Sequence, residues 1–323
     1  MNAPETAKLV IVTPVYNDVE CCRRLFRELA KEFGAGAFVV AVDDGSITQP
    51  LDPSALEEAS VSGVVVRLKR NVGHQRALAI GLNYVAEHMP DAICVLMDSD
   101  GEDAPATIST LIEPLASPDV DVVVAKRCNR VETIKFKTFY VLYRGLFYLL
   151  SGRRISFGNF MALKPAAVQR LAAMQELWIH IAATALVSKL RLAFSPIDRG
   201  PRYTGRSSMN FGALVLHGFR ALMVVAEDVL IRVGIACMIL AGTAFLAIIL
   251  SFVLKFSGFS TPGWFSTALG LLLLILLQTA TLTLITLMLT GVMRGNTVPI
   301  DYRNFIDKMF TARSYPRKTA LLS

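Results

Sequence analysis

The sequence predicts an α/β fold with a mostly parallel sheet, followed by a hairpin of two membrane-spanning helices. Short β-branched runs alternate with helical stretches in the first part of the chain, which is typical of a parallel sheet covered on both faces. Polar residues follow four of the successive runs. A long apolar region then extends from about Val229 to Val292, within a chain of 323 residues that is long enough for more than one domain.

Five strands and three helices are predicted in the first part of the chain. The strands are apolar runs bounded by turn or charged residues, at Leu9–Val12, Phe38–Val42, Val64–Val66, Ala92–Met97 and Val120–Val124. The helices between them are predicted at Asp18–Phe33, His74–Glu87 and Ala104–Leu115.

Two apolar stretches near Val229–Leu254 and Trp264–Val292 each exceed the roughly 20 residues that cross a bilayer. Their connection carries Lys255, whereas the other side carries many basic residues, so the positive-inside rule predicts cytoplasmic termini and an external hairpin tip. Two amphipathic stretches, Ile134–Leu150 and Asn210–Ala226, fit either the membrane interface or packing on the sheet.

These features predict a cytoplasmic catalytic domain over residues 1–208 and an amphipathic juxtamembrane helix over 209–228. Two spans over 229–293 and a basic cytoplasmic tail over 294–323 follow. The first apolar run is too short for a signal peptide, so the first domain is expected in the cytoplasm, at the inner membrane.

The net charge is +7, but the basic residues lie in separate loops and in the tail, without one long run. This distribution favours phosphate groups and an anionic membrane as partners, and no nucleic acid. The five cysteines are odd in number and no spacing fits a zinc site, so free thiols in a reducing compartment are expected.

Asp98 and Asp100 follow a predicted buried strand directly, and Glu102 lies two residues further on. An isolated Asp-x-Asp is most often a solvated acidic turn. At a strand end, however, two carboxylates can flank a hard cation such as Mg2+ or Mn2+, and Glu102 can supply a third oxygen. Such an ion would bridge the oxygens of a diphosphate.

Other strand ends carry further candidates for a nucleotide site. Asp43 can accept hydrogen bonds from a base or ribose, whereas Asp44 is equally suited to a turn. Tyr16 can stack on a base, and Asp18 can bind a nucleotide edge. His180 lies in an apolar stretch, which favours a packed histidine over a catalytic one. Candidates for phosphate binding are the basic residues Arg127, Lys135, Lys137, Arg144, Arg202 and Arg206.

Five segments share the order and spacing of a known family: Thr13–Asp18, Val42–Ser46, Arg70–His74, Met97–Glu102 and Arg202–Met209. With the two spans, they resemble glycosyltransferase family 2, and within it the polyprenyl-phosphate glycosyltransferases, such as dolichol-phosphate mannose synthase and the bacterial undecaprenyl-phosphate glucosyltransferases.

The resemblance implies a GT-A fold and the inverting transfer of one sugar from a UDP- or GDP-sugar to a polyprenyl phosphate on the cytoplasmic face. At the nucleotide sugar it implies Pro14, Tyr16, Asp18, Asp43, Asp98, Arg202 and Arg206. At Mg2+ or Mn2+ it implies Asp98, Asp100 and Glu102, of which Asp98 and Asp100 are the catalytic candidates. At the acceptor phosphate it implies Arg127 and the helix containing Lys135, Lys137 and Arg144.

Two departures from the family concern the donor, of which the first leaves one donor contact open and the second leaves the sugar open. Ser208 stands where the family often has Lys, and Asn159 stands where an acidic residue is frequent near the sugar. One alternative function is a processive polysaccharide synthase, but neither Trp178 nor Trp264 follows Arg, as its acceptor motif requires. The other is a non-catalytic adaptor that binds nucleotide sugars. A homo-oligomer is compatible with two spans, and the sequence gives no number.

Overall fold

The computed structural model describes residues 8–126, 145–153, 158–204, 211–295 and 300–312. The chain divides into two compact units. The sheet unit comprises Met1–Lys137, Ile155–Val224 and Pro299–Ser323, and the helical unit comprises Thr138–Arg154 and Val225–Val298.

Four parallel strands form the centre of the sheet unit, where the sequence predicts strands. They are β1 (Leu9–Val15), β2 (Ala37–Asp43), β3 (Ser62–Leu68) and β4 (Ile93–Leu96). β1 pairs with β2 and β4, and β2 pairs with β3. Val10 and Val12 pack into one hydrophobic cluster and Ile11 into another. Because both faces are covered, the strands are continuous apolar runs in the sequence.

Helices flank these strands. They are α1 (Val19–Phe33), α2 (Ser54–Glu58), α3 (His74–His88) and α4 (Ile108–Ile112). α1 begins after Asp18, whose carboxylate accepts a hydrogen bond from the amide of Cys21 at 3.4 Å. Leu25, Phe26 and Leu29 recur on one face of α1 and are fully buried, which explains its clear periodicity in the sequence.

The prediction of one continuous helix over Ala104–Leu115 was wrong. Only α4 is α-helical there, and 3-10 turns flank it at Pro105–Thr107 and Glu113–Ala116. Pro114 cannot donate the backbone hydrogen bond that a continuing helix needs, so the turn tightens at this residue.

An antiparallel strand separates the central strands from a second parallel pair. The strands are β5 (Val122–Lys126), β6 (Met161–Leu163) and β7 (Leu192–Pro196). β6 runs antiparallel to β4 and β5, and β7 runs parallel to β5. The helices of this part are α5 (Pro165–Ala172), α6 (Ile181–Val187) and α7 (Phe211–Val224). The sequence does not predict β6, because three residues are too few to show a period.

A strand from the end of the chain completes the sheet. β8 (Ile306–Ala312) lies within the segment predicted as a basic tail and pairs antiparallel with β3. The strand order is β7-β5-β6-β4-β1-β2-β3-β8. Tyr302, just before β8, donates a hydrogen bond of 2.5 Å to Glu87 on α3, and Arg303 forms an ion pair with the same carboxylate. Part of the tail is therefore an integral edge of the sheet.

Two long helices make up most of the helical unit: α8 (Ala226–Phe256) and α9 (Trp264–Gly295). Ala226–Phe256 and Trp264–Gly291 are long and apolar enough to cross a membrane, with mean hydropathies of 2.6 and 2.3. In the most apolar stretch of each helix only 11% and 6% of the residues are buried, whereas a helix in the core of a soluble protein is mostly buried. The helical unit is therefore suited to a membrane.

Candidate active site

The loops after β1 and β2 are joined by the side chain of Asn17, which has a positive φ of 50°. Its Oδ1 accepts hydrogen bonds from the amides of Ile47, Thr48 and Gln49 at 3.2, 3.1 and 3.3 Å. Its own amide donates to Ser46 Oγ at 2.8 Å. One asparagine thus shapes the loop beyond β2, a role that follows from its tolerance of left-handed backbone.

Asp43, predicted at the nucleotide, is fully buried at the end of β2. Its oxygens accept hydrogen bonds from the amides of Ser46 and Leu51, each at 3.0 Å, and Arg67 Nε lies 3.4 Å away. In this arrangement Asp43 braces the loop. A direct contact with a nucleotide stays a prediction.

Asp44 links the ends of β2 and β3. Its two oxygens accept hydrogen bonds from the amides of Val72 at 2.7 Å and Gly73 at 3.0 Å. Burial raises the pKa of Asp44, while these two hydrogen bonds act in the opposite direction. The contacts of Asp44 therefore support a structural role in the turn, which the sequence left open.

The remaining predicted nucleotide residues follow β1. Pro14 is buried in the strand, Asp18 is partly buried at the start of α1, and Tyr16 is 49% exposed. The tyrosine ring is therefore accessible to a planar ligand, as stacking on a base requires.

The segment Asp98–Asp103 after β4, termed here the acidic loop, carries four carboxylates. Arg202 Nη2 lies 2.7 Å from Asp100 Oδ2, and its Nε lies 3.4 Å from Glu102 Oε1. Arg199 forms a second ion pair with Glu102. The sequence predicts Arg202 at the donor but does not single out Arg199, because only the folded chain brings Arg199 to the acidic loop.

Backbone contacts hold the segment Asp198–Thr204, termed the arginine loop, on the acidic loop. The amide of Tyr203 donates to the carbonyl of Asp100 at 2.8 Å, and the amide of Gly200 donates to that of Glu102 at 2.9 Å. Gly101 has a φ of +88°, and a Cβ there would lie 2.6 Å from the Tyr203 ring. Glycine at 101 therefore permits the close contact of the two loops.

His74, at the start of α3, lies against the acidic loop and is not among the individual residues that the sequence predicts for the site. Its Nε2 lies 3.2 Å from Asp98 Oδ1 and 3.1 Å from Asn159 Nδ2. Burial lowers the pKa of His74, but Asp98, Asp103 and Asp100 together raise it above its ordinary value. The motif Arg70–His74 was the available signal. Asn159, expected near the sugar, lies beside Asp98 in a pocket of about 20 Å3.

The other predicted basic residues lie outside the described residues. They are Arg127, Lys135, Lys137, Arg144 and Arg206. Their assignment to the acceptor or donor phosphates stays a prediction.

No group of three or more His, Cys, Asp or Glu side chains is arranged to hold a metal ion within the described part of the chain. Asp100 and Glu102 instead contact arginine. Burial, with the nearby charge of Asp98, raises the pKa of Asp100, although Arg202 opposes this. The oxygen donors suit a hard divalent cation by their chemistry, while the predicted set of three ligands stays a prediction.

A histidine pair joins α7 to the rest of the sheet unit. His180 Nε2 lies 3.0 Å from His217 Nε2, and His180 Nδ1 accepts a hydrogen bond from the amide of Ala183 at 3.2 Å. His180 is thus neutral, with its proton on Nε2 donated to His217. Burial and, to a lesser extent, the neighbouring His217 lower the pKa of His180 to about 3. The packed histidine favoured by the sequence is consistent with these contacts.

Acid should weaken this contact. Because the pKa of His180 is lower in the folded than in the unfolded chain, stability is complete above the unfolded value of about 6.5 and falls as the pH decreases toward 3. We expect a loss of about 2 kcal/mol from pH 7 to pH 5, measured by urea unfolding in detergent. His180→Asn, which can still cap α6, should reduce this pH dependence, and His88→Asn should not. Equal pH dependence of His180→Asn and the parent would contradict the role of the pair.

The sequence profile of "Glycosyl transferase family 2" matches residues 10–178, more than half of the chain. The chain therefore belongs to glycosyltransferase family 2, and the acidic loop lies within the matched residues. Its mostly parallel sheet, with polar side chains at the strand ends, is the GT-A fold.

Two named relatives are undecaprenyl-phosphate 4-deoxy-4-formamido-L-arabinose transferases. The protein of Sodalis glossinidius is 34% identical over 39% of this chain and 39% of its own length. That of Salmonella paratyphi B is 24% identical over 66% of each chain. An uncharacterized glycosyltransferase of Synechocystis is 25% identical over 65% of this chain and 66% of its own. The chain thus spans two thirds or less of the length of these relatives.

Among solved structures, glucosyl-3-phosphoglycerate synthase of Mycobacterium tuberculosis, in complex with Mn2+, UDP-glucose and phosphoglyceric acid, has 15% identity and a TM-score of 0.46. The match covers 69% of this chain and 79% of that one. A likeness at this level carries no weight for the activity.

Proposed function

We propose that this protein transfers one sugar, with inversion, from a UDP- or GDP-sugar to a polyprenyl phosphate, most simply undecaprenyl phosphate. The observation that carries the proposal is the acidic loop, where Asp98 contacts His74 and Asp100 contacts Arg202. Carboxylates and guanidinium groups meet there at the end of β4, where ligands bind in α/β sheets. Family membership and the names of the two transferase relatives support the reaction and the acceptor.

The nucleotide is assigned to the ends of β1 and β2. Tyr16 is accessible for stacking on the base, and Asp18 lies close enough to the acidic loop to influence Asp100 electrostatically. Pro14 fixes the backbone before them, and Asp43 with Asn17 holds the loop beyond β2 in shape. A preformed loop reduces the entropy that must be lost when the nucleotide binds.

Arg202 is assigned to the donor diphosphate, together with Arg206. Arg202 contacts the carboxylates of Asp100 and Glu102. Diphosphate oxygens can compete for the same guanidinium because arginine binds phosphate through two parallel hydrogen bonds. The pocket beside Asp98 has room for about one water molecule, so binding of a sugar there requires the arginine loop to move.

Asp98 and Asp100 are assigned to a divalent cation, Mg2+ or Mn2+. Glu102, which contacts Arg199 and Arg202, is assigned as the third ligand. Their hard oxygens are of the type such ions prefer. Burial, and then the nearby charge of Asp98, raise the pKa of Asp100, so a cation bound there would favour its charged form. When bound, such a cation neutralises charge on the departing nucleotide.

The acceptor phosphate is already anionic at neutral pH, so it needs less activation than a hydroxyl. The tasks of the protein are then to position two anions and to screen them from one another. We assign the acceptor phosphate to Arg127, Lys135, Lys137 and Arg144.

The helices α8 and α9 are proposed to cross the cytoplasmic membrane as a hairpin, with both termini and the sheet unit in the cytoplasm. β8 follows both helices and pairs with β3 in the same sheet. The chain must therefore return to the side from which it left, which two crossings achieve. The basic residues that flank the spans favour the cytoplasmic side.

The proposal is tested with the full-length protein in detergent, undecaprenyl phosphate, Mn2+ and radiolabelled UDP- or GDP-sugars, with products separated by thin-layer chromatography. We expect one lipid-linked product that carries a single sugar. A ladder of longer products would instead indicate a processive synthase. Binding of a nucleotide sugar without any product would indicate an adaptor, and either result contradicts the proposal.

A further inference from the structure

A groove of about 830 Å3 lies within the helical unit, and none of its lining residues belongs to the candidate active site. One wall is the end of the helical segment 145–151, with Gly152 and Arg153 following it. The other wall is the first part of α8, from Asp228 to Ile239. The volume lies within the range of about 300–1,000 Å3 that is usual for small-molecule sites.

The mouth of the groove carries two arginines and one carboxylate. Arg153 Nε lies 3.1 Å from Asp228 Oδ2, so these two charges offset one another. Arg232 has no hydrogen-bond or ion-pair partner among the described residues and is exposed. The groove therefore has a net charge of about +1, located on Arg232.

The guanidinium of Arg232 lies close to the backbone of Gly152. Gly152 has a φ of +72°, and a Cβ at this position would overlap the guanidinium of Arg232. The amide of Gly152 donates to the carbonyl of Tyr148 at 2.7 Å, so the preceding helix ends here. The absence of a side chain lets the charged group lie directly against the turn.

An apolar wall continues from this charge along α8. Ile231, Ile235 and Ile239 recur every four residues and therefore share one face of the helix. Their exposed fractions are 47%, 47% and 64%. A single cation beside a stripe of branched aliphatic side chains is complementary to an amphiphile with an anionic head.

We propose that this groove binds one anionic phospholipid, with the phosphodiester at Arg232 and the first part of an acyl chain along the three isoleucines. A phosphodiester carries one negative charge and matches the net charge of the groove. A phosphomonoester, such as a polyprenyl phosphate, carries about −1.5 to −2 and would leave charge unmatched. The inference rests on the proposed membrane placement of α8, but not on the sugar or the acceptor.

Native mass spectrometry of the full-length protein in detergent tests the proposal with phosphatidylglycerol and phosphatidylcholine as probes. We expect one tightly bound phosphatidylglycerol and weaker binding of phosphatidylcholine. Arg232→Gln should weaken phosphatidylglycerol about fivefold, the equivalent of roughly 1 kcal/mol for one basic residue. Arg232→Lys should retain most of the affinity. Asp228→Asn should strengthen binding, because it raises the net charge of the groove.

Lys255→Gln is the matched control, since it removes one positive charge at the opposite end of the same helix. If Arg232 only extends toward the aqueous interface, Arg232→Gln and Lys255→Gln should lower the affinity for phosphatidylglycerol by the same small factor. That result would overturn the proposal. Equal affinity for the two phospholipids would overturn it as well.

Two further probes identify the source of the phosphate. Glycerol phosphate, which lacks the chains, should not bind in the groove. Undecaprenyl phosphate should not displace phosphatidylglycerol; displacement that depends on Arg232 would make the groove part of the acceptor site and overturn the proposal. Failure of sugar transfer with normal phosphatidylglycerol binding would affect only the proposed function.

Discussion

Replacement of Asp98 by Asn should lower the rate of sugar transfer by roughly 100- to 1,000-fold, the range found when one preorganised electrostatic group is removed from an active site. The substitution keeps the size of the side chain but removes the charge that faces His74 at 3.2 Å. It also removes one of the two carboxylates assigned to the cation. The measurement is the initial rate of lipid-linked sugar formation by the full-length protein.

Asp91→Asn is the control for this prediction. Asp91 is exposed and lies just before β4, whereas Asp98 follows the same strand at its other end. We expect the control to keep the parental rate within about twofold, since surface substitutions have small effects. An Asp98→Asn protein that is folded and as active as the parent would remove the acidic loop from the mechanism.

Replacement of Asp43 by Ala should have the largest effect on stability, a loss of about 3 kcal/mol in the free energy of unfolding. The carboxylate is fully buried, and its removal leaves the amides of Ser46 and Leu51 without their acceptor and Arg67 without its ion-pair partner. Breaking a buried, hydrogen-bonded pair by deleting one member typically costs about 3–5 kcal/mol, and the partial exposure of Arg67 reduces this figure. Urea unfolding in detergent measures the change.

Two further variants distinguish a structural role of Asp43 from a role in nucleotide binding. Asp43→Asn keeps one acceptor oxygen and should lose about half as much stability. Asp52→Ala, close by in the chain, removes one exposed hydrogen bond to the amide of Ser54 and should cost about 1 kcal/mol or less. If Asp43→Ala unfolds like the parent but binds UDP or GDP poorly, the residue contacts the nucleotide and does not brace the loop.

The contacts of Asp43 and Asp44 show that residues of a binding motif can have a structural role. The sequence motif Val42–Ser46 points to a nucleotide site, and the two carboxylates do lie at the correct edge of the sheet. Both carboxylates, however, accept hydrogen bonds from backbone amides of the adjoining loops. A carboxylate at a strand end can bind a ligand directly, or it can hold the loop that binds the ligand. The distances from its oxygens to the backbone amides of that loop distinguish these two roles.

Local sequence was sufficient for the parts of the fold whose signal is local. The central strands β1 to β4 have apolar sequences because both faces are buried, and α1 has a regular apolar stripe because one face is buried. The two long apolar helices follow from length and composition alone. Polar residues after several parallel strands indicated a site, because parallel strands end at one edge of a sheet.

Contacts between distant segments depended on the tertiary structure. β6 is too short to carry a period, and β8 comes from a segment whose basic composition resembles a solvated tail. The pairing of Arg199 with Glu102 and of His74 with Asp98 joins residues that are far apart in the chain. Neither pair has a local pattern, because such contacts depend on how the loops fold back over the sheet.

The sequence by itself determined the family, the parallel core of the sheet and the two apolar helices, since burial and backbone preference act on neighbouring residues. The tertiary structure decided how the acidic loop is neutralised, which carboxylates brace loops, and that the end of the chain returns to the sheet. The physical reason is that charge pairing and strand addition are set by distances in space, and the chain order leaves those distances open until the core has formed.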